Sequence, residues 1–591
     1  MKRIWQKLTL ALALIMGLAG LTGTAAVFQI APNGKAMHWN FSFYDSALFP
    51  DQNPTTLAIR YHLSAQGWST TNTAAELNAI RASFAQWQAV SGTKLKFEEG
   101  APVSGVTDVN VTDGQNMVVW LPGNRTINGG TTFFPSGSAG ITVLSGSDTD
   151  EIIAEADIVL NSSRSWFTDF DLTKTEGQFV ETVALHEIGH FIGLNHATLG
   201  GSTMFWFGPQ GIGAQTGLSS DDITAVRTIY GTTSLASLKG TVTLNGSAVL
   251  GANVTLESAN GLVLAGTVSK ADGSYELDAL PAGPAFLRVT ALDPPDNQDT
   301  YLVRGTDLDP YTSAYNNAVT AFLPTQNLPV TLTAGVATTQ NVAVSAGAPP
   351  FRITETRQFL TADARQSGDI CIQLTPGKSN LWVGVYIPTL PSTNATLRIT
   401  GDGLTYGDTV VVTKALRSLS LVQVPVTVAT NATPGVRSIT VTSGGFTAWA
   451  NGFAEVLPTV YDFNFDGLDD LFQRRYWSPF TRPEAAPEAD PDGDGFVNRR
   501  EAVMGSDPTN PLSVNYRVTR VKLAANGTTV TWESAPGRRY QVYSRANLQG
   551  AAWQTVGSPV TAATGTAGET SQYLDTRPTD VLRFYQVRDA Q

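Results

Sequence analysis

The sequence predicts a multidomain protein: an α+β domain, then all-β sandwich domains, with one small acidic segment between them. Three observations lead there. The chain has 591 residues, too many for one hydrophobic core. Up to Gly231, helical and strand periodicities alternate in mixed order. Beyond Ser234 the pattern changes to short strands divided by Gly-rich and Asp-Gly turns, broken at 459–513 by dense Asp, Asn and Gly.

In the first part, residues 27–56 read as a polar lead-in with Pro32, Pro50 and Pro54. Leu57 to Leu63 alternates as a strand. Ala74 to Val90 places Leu77, Ile80, Phe84 and Trp87 at helical spacing. Short strands are expected at Val109–Val111, Met117–Leu121, Ile141–Leu144 and Ile158–Leu160, and a second helix at Phe179–Ile192. In the β-rich part, strands are expected at Lys239–Leu244, Asn253–Glu257, Ser274–Leu277 and Ala285–Val289, at Leu381–Ile387 and Arg437–Val441, and at Thr528–Trp532 and Arg539–Tyr543. The expected boundaries are 27–233, 234–348, 349–458, 459–513 and 514–591.

Composition narrows the function classes. Hydrophobic residues are 42% and charged residues 15%, which is globular. A net charge of −12 argues against nucleic acid, whose phosphates need basic patches. Residues 1–26 read as a signal peptide: Lys2, Arg3 and Lys7, an apolar run from Leu8 to Leu21, then Thr24-Ala25-Ala26 for cleavage. The expectation is a secreted protein with no transmembrane anchor after cleavage. Cys371 is the only cysteine, so no intrachain disulfide forms; between Ile370 and Ile372 it reads as a small buried hydrophobe.

The chemistry concentrates in the second helix. His186 and His190 are four apart, hence on one helical face, and Glu187 reaches the same cleft. Gly193 ends the helix in a left-handed turn, and His196 returns as a third ligand. Three neutral imidazoles holding zinc leave one position open, the mark of a catalytic site. Only five histidines exist in the chain, and three fall at this spacing.

The run His186-Glu187-x-x-His190-x-x-Gly193-x-x-His196, followed by Ser202-Thr203-Met204, resembles the metzincin metallopeptidases. Within them it looks most like the matrixin branch: Ile80–Trp87, Glu155–Ile158 and Leu218–Gly231 are similar to that branch's first helix, the strand before its active-site helix, and its C-terminal helix. The resemblance implies a metzincin catalytic domain, with mixed sheet and active-site helix. It implies a zinc endopeptidase that hydrolyses peptide bonds in extracellular protein substrates, using zinc-bound water with Glu187 as general base. Met204 would floor the site. Ile141, Thr142 and Val143 would form the edge strand that binds extended substrate, and Phe205 would line the pocket for the residue after the cut. No cysteine lies upstream, so thiol-on-zinc latency is not expected. Only His38 and His62 remain, so a second zinc site is not expected either.

Asp490, Asp492, Asp494, Phe496, Asn498 and Glu501 occupy every ligand position of a twelve-residue EF-hand calcium loop, with Gly495 at the turn. A second loop offers Asp462, Asn464, Asp466 and Asp470, with neutral Gln473 at the twelfth position. The pair resembles dockerin or thrombospondin type-3 repeats, and a structural calcium staple is expected. Residues 238–290 are similar to the carboxypeptidase regulatory-like, transthyretin-like sandwich, and 351–457 loosely to Ig or IPT domains. In the last domain Trp532, Tyr540 and Tyr543 offer aromatic rings for a carbohydrate or cell surface, against the reading, which the residue types favour, that they pack its core. The competing reading is a calcium-stabilised surface-binding or adhesion protein with an inactive peptidase domain; intact Glu187 favours the enzyme.

Overall fold

The computed structural model describes residues 28–30, 35–147, 151–174, 176–208, 211–294, 302–308, 314–325, 327–361, 364–365, 371–416, 418–513, 517–535, 537–549, 552–564, 570–578 and 582–590. The signal-peptide expectation lies outside these residues. Residues up to Thr459 form one compact unit and Val460–Gln591 a second. No helix among the described residues is long and apolar enough to cross a membrane.

The first domain is built on a mixed five-stranded sheet in the order Phe97–Glu99, Ile59–Leu63, Met117–Leu121, Ile152–Asn161, Gly140–Ser147. The first four strands run parallel and the last antiparallel, at the sheet's edge. Helices α1 (Thr73–Gln88) and α2 (Val180–Phe191) share a core with it, and α3 (Ser220–Tyr230) follows. In α1, Ile80, Phe84 and Trp87 recur at helical spacing and are all buried. Each contributes about 1.5–3 kcal/mol by leaving water. Trp87 also donates its indole N–H to the Leu185 carbonyl in α2 at 3.0 Å, and Phe84 stacks on Tyr61. Ser219 and Asp222 form a reciprocal capping box at the start of α3.

Two expectations change. Val109–Val111 is not a strand. Its backbone N–H groups go to side chains instead of a neighbouring strand: Asn110 to Asp157 and Val111 to Asn128. Val109 and Val111 are nonetheless buried, and burial is what their apolar pattern reported. The lead-in is an integral part of the core: Phe28, Met37 and Trp39 are buried. Trp39 donates to the Phe191 carbonyl at 2.7 Å, an acceptor near the helix C-terminus, and Gln29 adds a donor at 3.2 Å to the His190 carbonyl, which also accepts from Gly193 N–H at 2.9 Å.

Strands between Ala236 and Ala346 form a six- and a four-stranded sheet, which share a core around Leu238, Val254, Leu256 and Leu287. Strands between Glu355 and Val456 form a second six- and four-stranded pair, around Val383, Val385, Leu397 and Ile439. These parts pack tightly in the first unit. Gly266 N–H donates to Asp221 in α3 at 2.8 Å. The buried Arg288 guanidinium pairs with Glu257 at 2.6 Å and reaches Ser438 and Asn451 of the next sheet pair. Cys371 is buried.

In the second unit, Asp470–Tyr476 and Asn498–Met504 are short helices. Beyond them, two three-stranded sheets pack around Val530, Trp532, Tyr540 and Val542. Trp532 and Tyr540 are therefore core residues, while Tyr543 is only partly buried.

Candidate metal centre

Helix α2 carries His186, Glu187 and His190, and the chain reverses directly after it. Gly193 has φ +94°, and a Cβ there would run into the Met37 carbonyl. The reversal returns His196 to the helix face. The three ring centroids lie 4.8, 5.0 and 5.3 Å apart, and one ligand atom from each falls within 4.8 Å of the others.

The ring tautomers follow from the partners. His186 Nδ1 lies 2.8 Å from the Thr203 carbonyl, His190 Nδ1 2.8 Å from Leu194, and His196 Nδ1 2.6 Å from Asp307. A carbonyl only accepts, so each Nδ1 carries the proton and each Nε2 keeps its lone pair. Burial lowers the pKa of all three, His190 well below the usual value and His196 to about 3. The neighbouring imidazoles push His190 and His196 further the same way. Three neutral Nε2 donors on one spot fit a zinc ion with an open position.

Glu187 is almost fully buried, and burial raises its pKa to about 8, against a hydrogen bond from Thr142 that lowers it. A cation beside it acts in the lowering direction too. Thr142 Oγ1 donates to Oε2 at 2.7 Å. Room for the carboxylate comes from Gly140, where a Cβ would stand 2.6 Å from Oε1.

Met204 lies under the helix, so close to Gly189 that a Cβ there would strike its sulfur. The Met204 turn is tied to α3: Asp222 accepts from Ser202 Oγ, and from Thr203 N–H at 2.8 Å. Residues 52–231 match the matrixin family of peptidases. Metalloendoproteinase 4-MMP of Arabidopsis thaliana is 35% identical to this chain over 75 residues, 12% of the chain and 21% of the plant protein. The chain thus spans about a fifth of the length of that curated relative. The matrixin-type domain carries the histidine triplet, and matrixins are peptidases that use zinc.

The remaining site residues are placed as follows. Ile141, Thr142 and Val143 lie in the edge strand; Thr142 and Val143 are buried and Ile141 is partly exposed. Phe205 departs from expectation. It is 0% exposed and meets Phe453 edge-on at 5.4 Å, inside the core shared with the second β-sheet pair. A side chain sealed there lines no open pocket. Gly140, Gly189, Asp222 and Asp307 were missed in the sequence. Gly189 sits inside the histidine motif and was the one legible candidate; the others act through contacts distant in sequence.

In the second unit, Asp490, Asp492 and Asp494 bring carboxylate oxygens within 4.8 Å of one another. Gly493 and Gly495, at φ +74° and +92°, donate their N–H groups to Asp490 and curl the loop. Glu501 is 0% exposed. Burial raises its pKa to about 8, against a hydrogen bond with Ser506 that lowers it, and the neighbouring carboxylates add to the rise. Phe496 is buried, and Asn498 is anchored through its Nδ2 to the Glu484 and Ala486 carbonyls, at 2.8 Å each. The loop at Asp462 differs. Gln473 Nε2 donates to Asp466 at 2.7 Å, Asn464 Nδ2 to Asp466 at 2.9 Å, and Asp470 accepts from Phe463 N–H at 2.8 Å. There an amide stands where the other loop has Glu501.

Proposed function

We propose that this protein is a secreted zinc-dependent metalloendopeptidase acting on extracellular proteins or peptides. The observation that carries the reading is the convergence of three neutral, carbonyl-oriented imidazoles beside a buried glutamate held by Thr142. His186, His190 and His196 would hold zinc through Nε2. When bound, zinc supplies a Lewis acid that acidifies water and polarises the scissile carbonyl. Glu187 takes the attacking water's proton and delivers it to the leaving amine. Thr142 keeps the carboxylate aimed, and the edge strand offers main-chain groups to an extended peptide. The 490–501 loop holds calcium as a structural staple; the buried Glu501 carboxylate beside the three clustered aspartates supports this.

The test is casein cleavage by the purified full chain, with bound zinc quantified, beside Glu187→Ala and a chelated sample. Cleavage lost in both controls is the expected result. One zinc per chain without cleavage of casein or a peptide library would favour the adhesion reading. No bound zinc would remove the enzyme reading altogether.

A further inference from the structure

Two of the three histidines are oriented by carbonyls of their own domain, Thr203 and Leu194. The third is not. His196 Nδ1 donates to the Asp307 carbonyl at 2.6 Å, and His196 N–H donates to Leu308 at 3.2 Å. Both acceptors lie outside residues 52–231, the span that matches the matrixin family. They belong to a strap, 302–308, that leaves the first β-sheet pair after the Gly283–Ala291 strand and ends in the short turn Gly305–Leu308.

The strap is built to hold that carbonyl in place. Asp307 accepts from Arg304 N–H at 2.8 Å and pairs with its guanidinium at 2.9 Å, which closes the turn on itself. Gly305 is required there, because a Cβ would collide with the Tyr315 carbonyl. Asp293 accepts the Leu302 and Val303 N–H groups at 3.0 and 3.1 Å, anchoring the other end. Leu302, Val303 and Leu308 are buried. Trp206, two residues after Met204, donates its indole N–H to the Leu302 carbonyl at 3.3 Å.

We propose that this strap is a working part of the zinc site, with Asp307 the positioning residue for His196. Its carbonyl selects the His196 tautomer that turns Nε2 toward the metal. The β-domain that follows the peptidase domain therefore contributes to metal binding by orienting one of the three ligands. The inference rests on the proposed zinc site and goes beyond it, since the family-matched span alone lacks this acceptor.

The test compares the full chain with Asp307→Ala, which opens the turn, and with Asp307→Asn, which keeps one acceptor for Arg304. Zinc affinity is measured by competition with a chromogenic chelator. Ligand geometry is read from the visible spectrum of the cobalt-substituted protein. Asp307→Ala should bind zinc roughly 10- to 100-fold more weakly, with an altered cobalt spectrum and an unchanged melting temperature in the metal-free state. Asp307→Asn should stay close to the unsubstituted chain. If Asp307→Ala misfolds, Arg304→Gln opens the same turn more gently and should give the same change in affinity and spectrum. Unchanged zinc affinity and cobalt spectrum in the strap variants would overturn the inference while leaving the zinc site standing. Failure of the unsubstituted chain to bind zinc would overturn both.

Discussion

Thr142 Oγ1 stands 2.7 Å from Oε2 of Glu187 and donates to it from the edge strand of the sheet. One side chain thereby couples the strand expected to bind substrate to the expected general base. Removing the donor leaves a buried carboxylate short of one hydrogen bond, an interaction worth about 1.5–3 kcal/mol when charged. Thr142→Val should lower kcat of peptide cleavage roughly 10- to 100-fold with little change in KM, and Thr142→Ser should restore most of it. A rise in KM alone would instead place Thr142 among substrate contacts.

Phe205 and Phe453 make the second informative pair. Phe205 is fully buried against Phe453, so Phe205→Ala should act as a cavity-forming core substitution. The expected cost is about 3–5 kcal/mol in chemical denaturation of the full chain. The preference among peptides varied after the scissile bond should not change. A shifted preference at unchanged stability would return Phe205 to the substrate pocket.

Calcium should stabilise the second unit through Glu501. A ligand at a hundred times its Kd adds about 2.7 kcal/mol, which moves the melting temperature of a unit this size by about 5–10 °C. Calorimetry with and without calcium should show that shift in the unsubstituted chain and in Asp462→Ala, and should lose it in Glu501→Ala. An equal shift in all three would assign calcium to another place.

Asp575 supplies a stability term with a defined pH window. Arg577 pairs with its carboxylate at 2.7 Å and Tyr585 donates to it at 2.8 Å, against burial, so its pKa falls from 3.8 to about 2. A carboxyl depressed in the folded state binds fewer protons there than when unfolded. Its contribution, about 1–2 kcal/mol, is complete above pH 3.8 and is lost as pH falls through about 2. In urea titrations Asp575→Asn should be less stable than the unsubstituted chain at pH 5, and the gap should close near pH 2. A constant gap would mean the effect is not protonation.

Local spacing carried most of the candidate site. His186, Glu187 and His190 share a helical face because four residues make about one turn, and Gly193 returns the chain because it alone takes φ +94° without strain. The same holds for the Asp490 loop, whose ligand types sit at fixed offsets within twelve residues. Helices and strands with strong period, such as Thr73–Gln88 and Leu381–Ile387, were legible to within a residue or two. Val109–Val111 misled because alternating apolar residues report burial, and a buried loop satisfied by Asp157 and Asn128 leaves the same trace as a strand.

The sequence by itself determined which residues can meet a metal, since those meetings happen within one helix turn, one reversal or one loop. Only the tertiary structure decided what holds them there. Thr142 on Glu187, Asp222 under the Met204 turn, Phe453 over Phe205 and Asp307 on His196 are separated by 18 to 248 positions. No local periodicity encodes such pairs. A carbonyl such as that of Asp307 has no residue-type signature at all, because every residue carries one, and only the folded chain says which of them faces the imidazole.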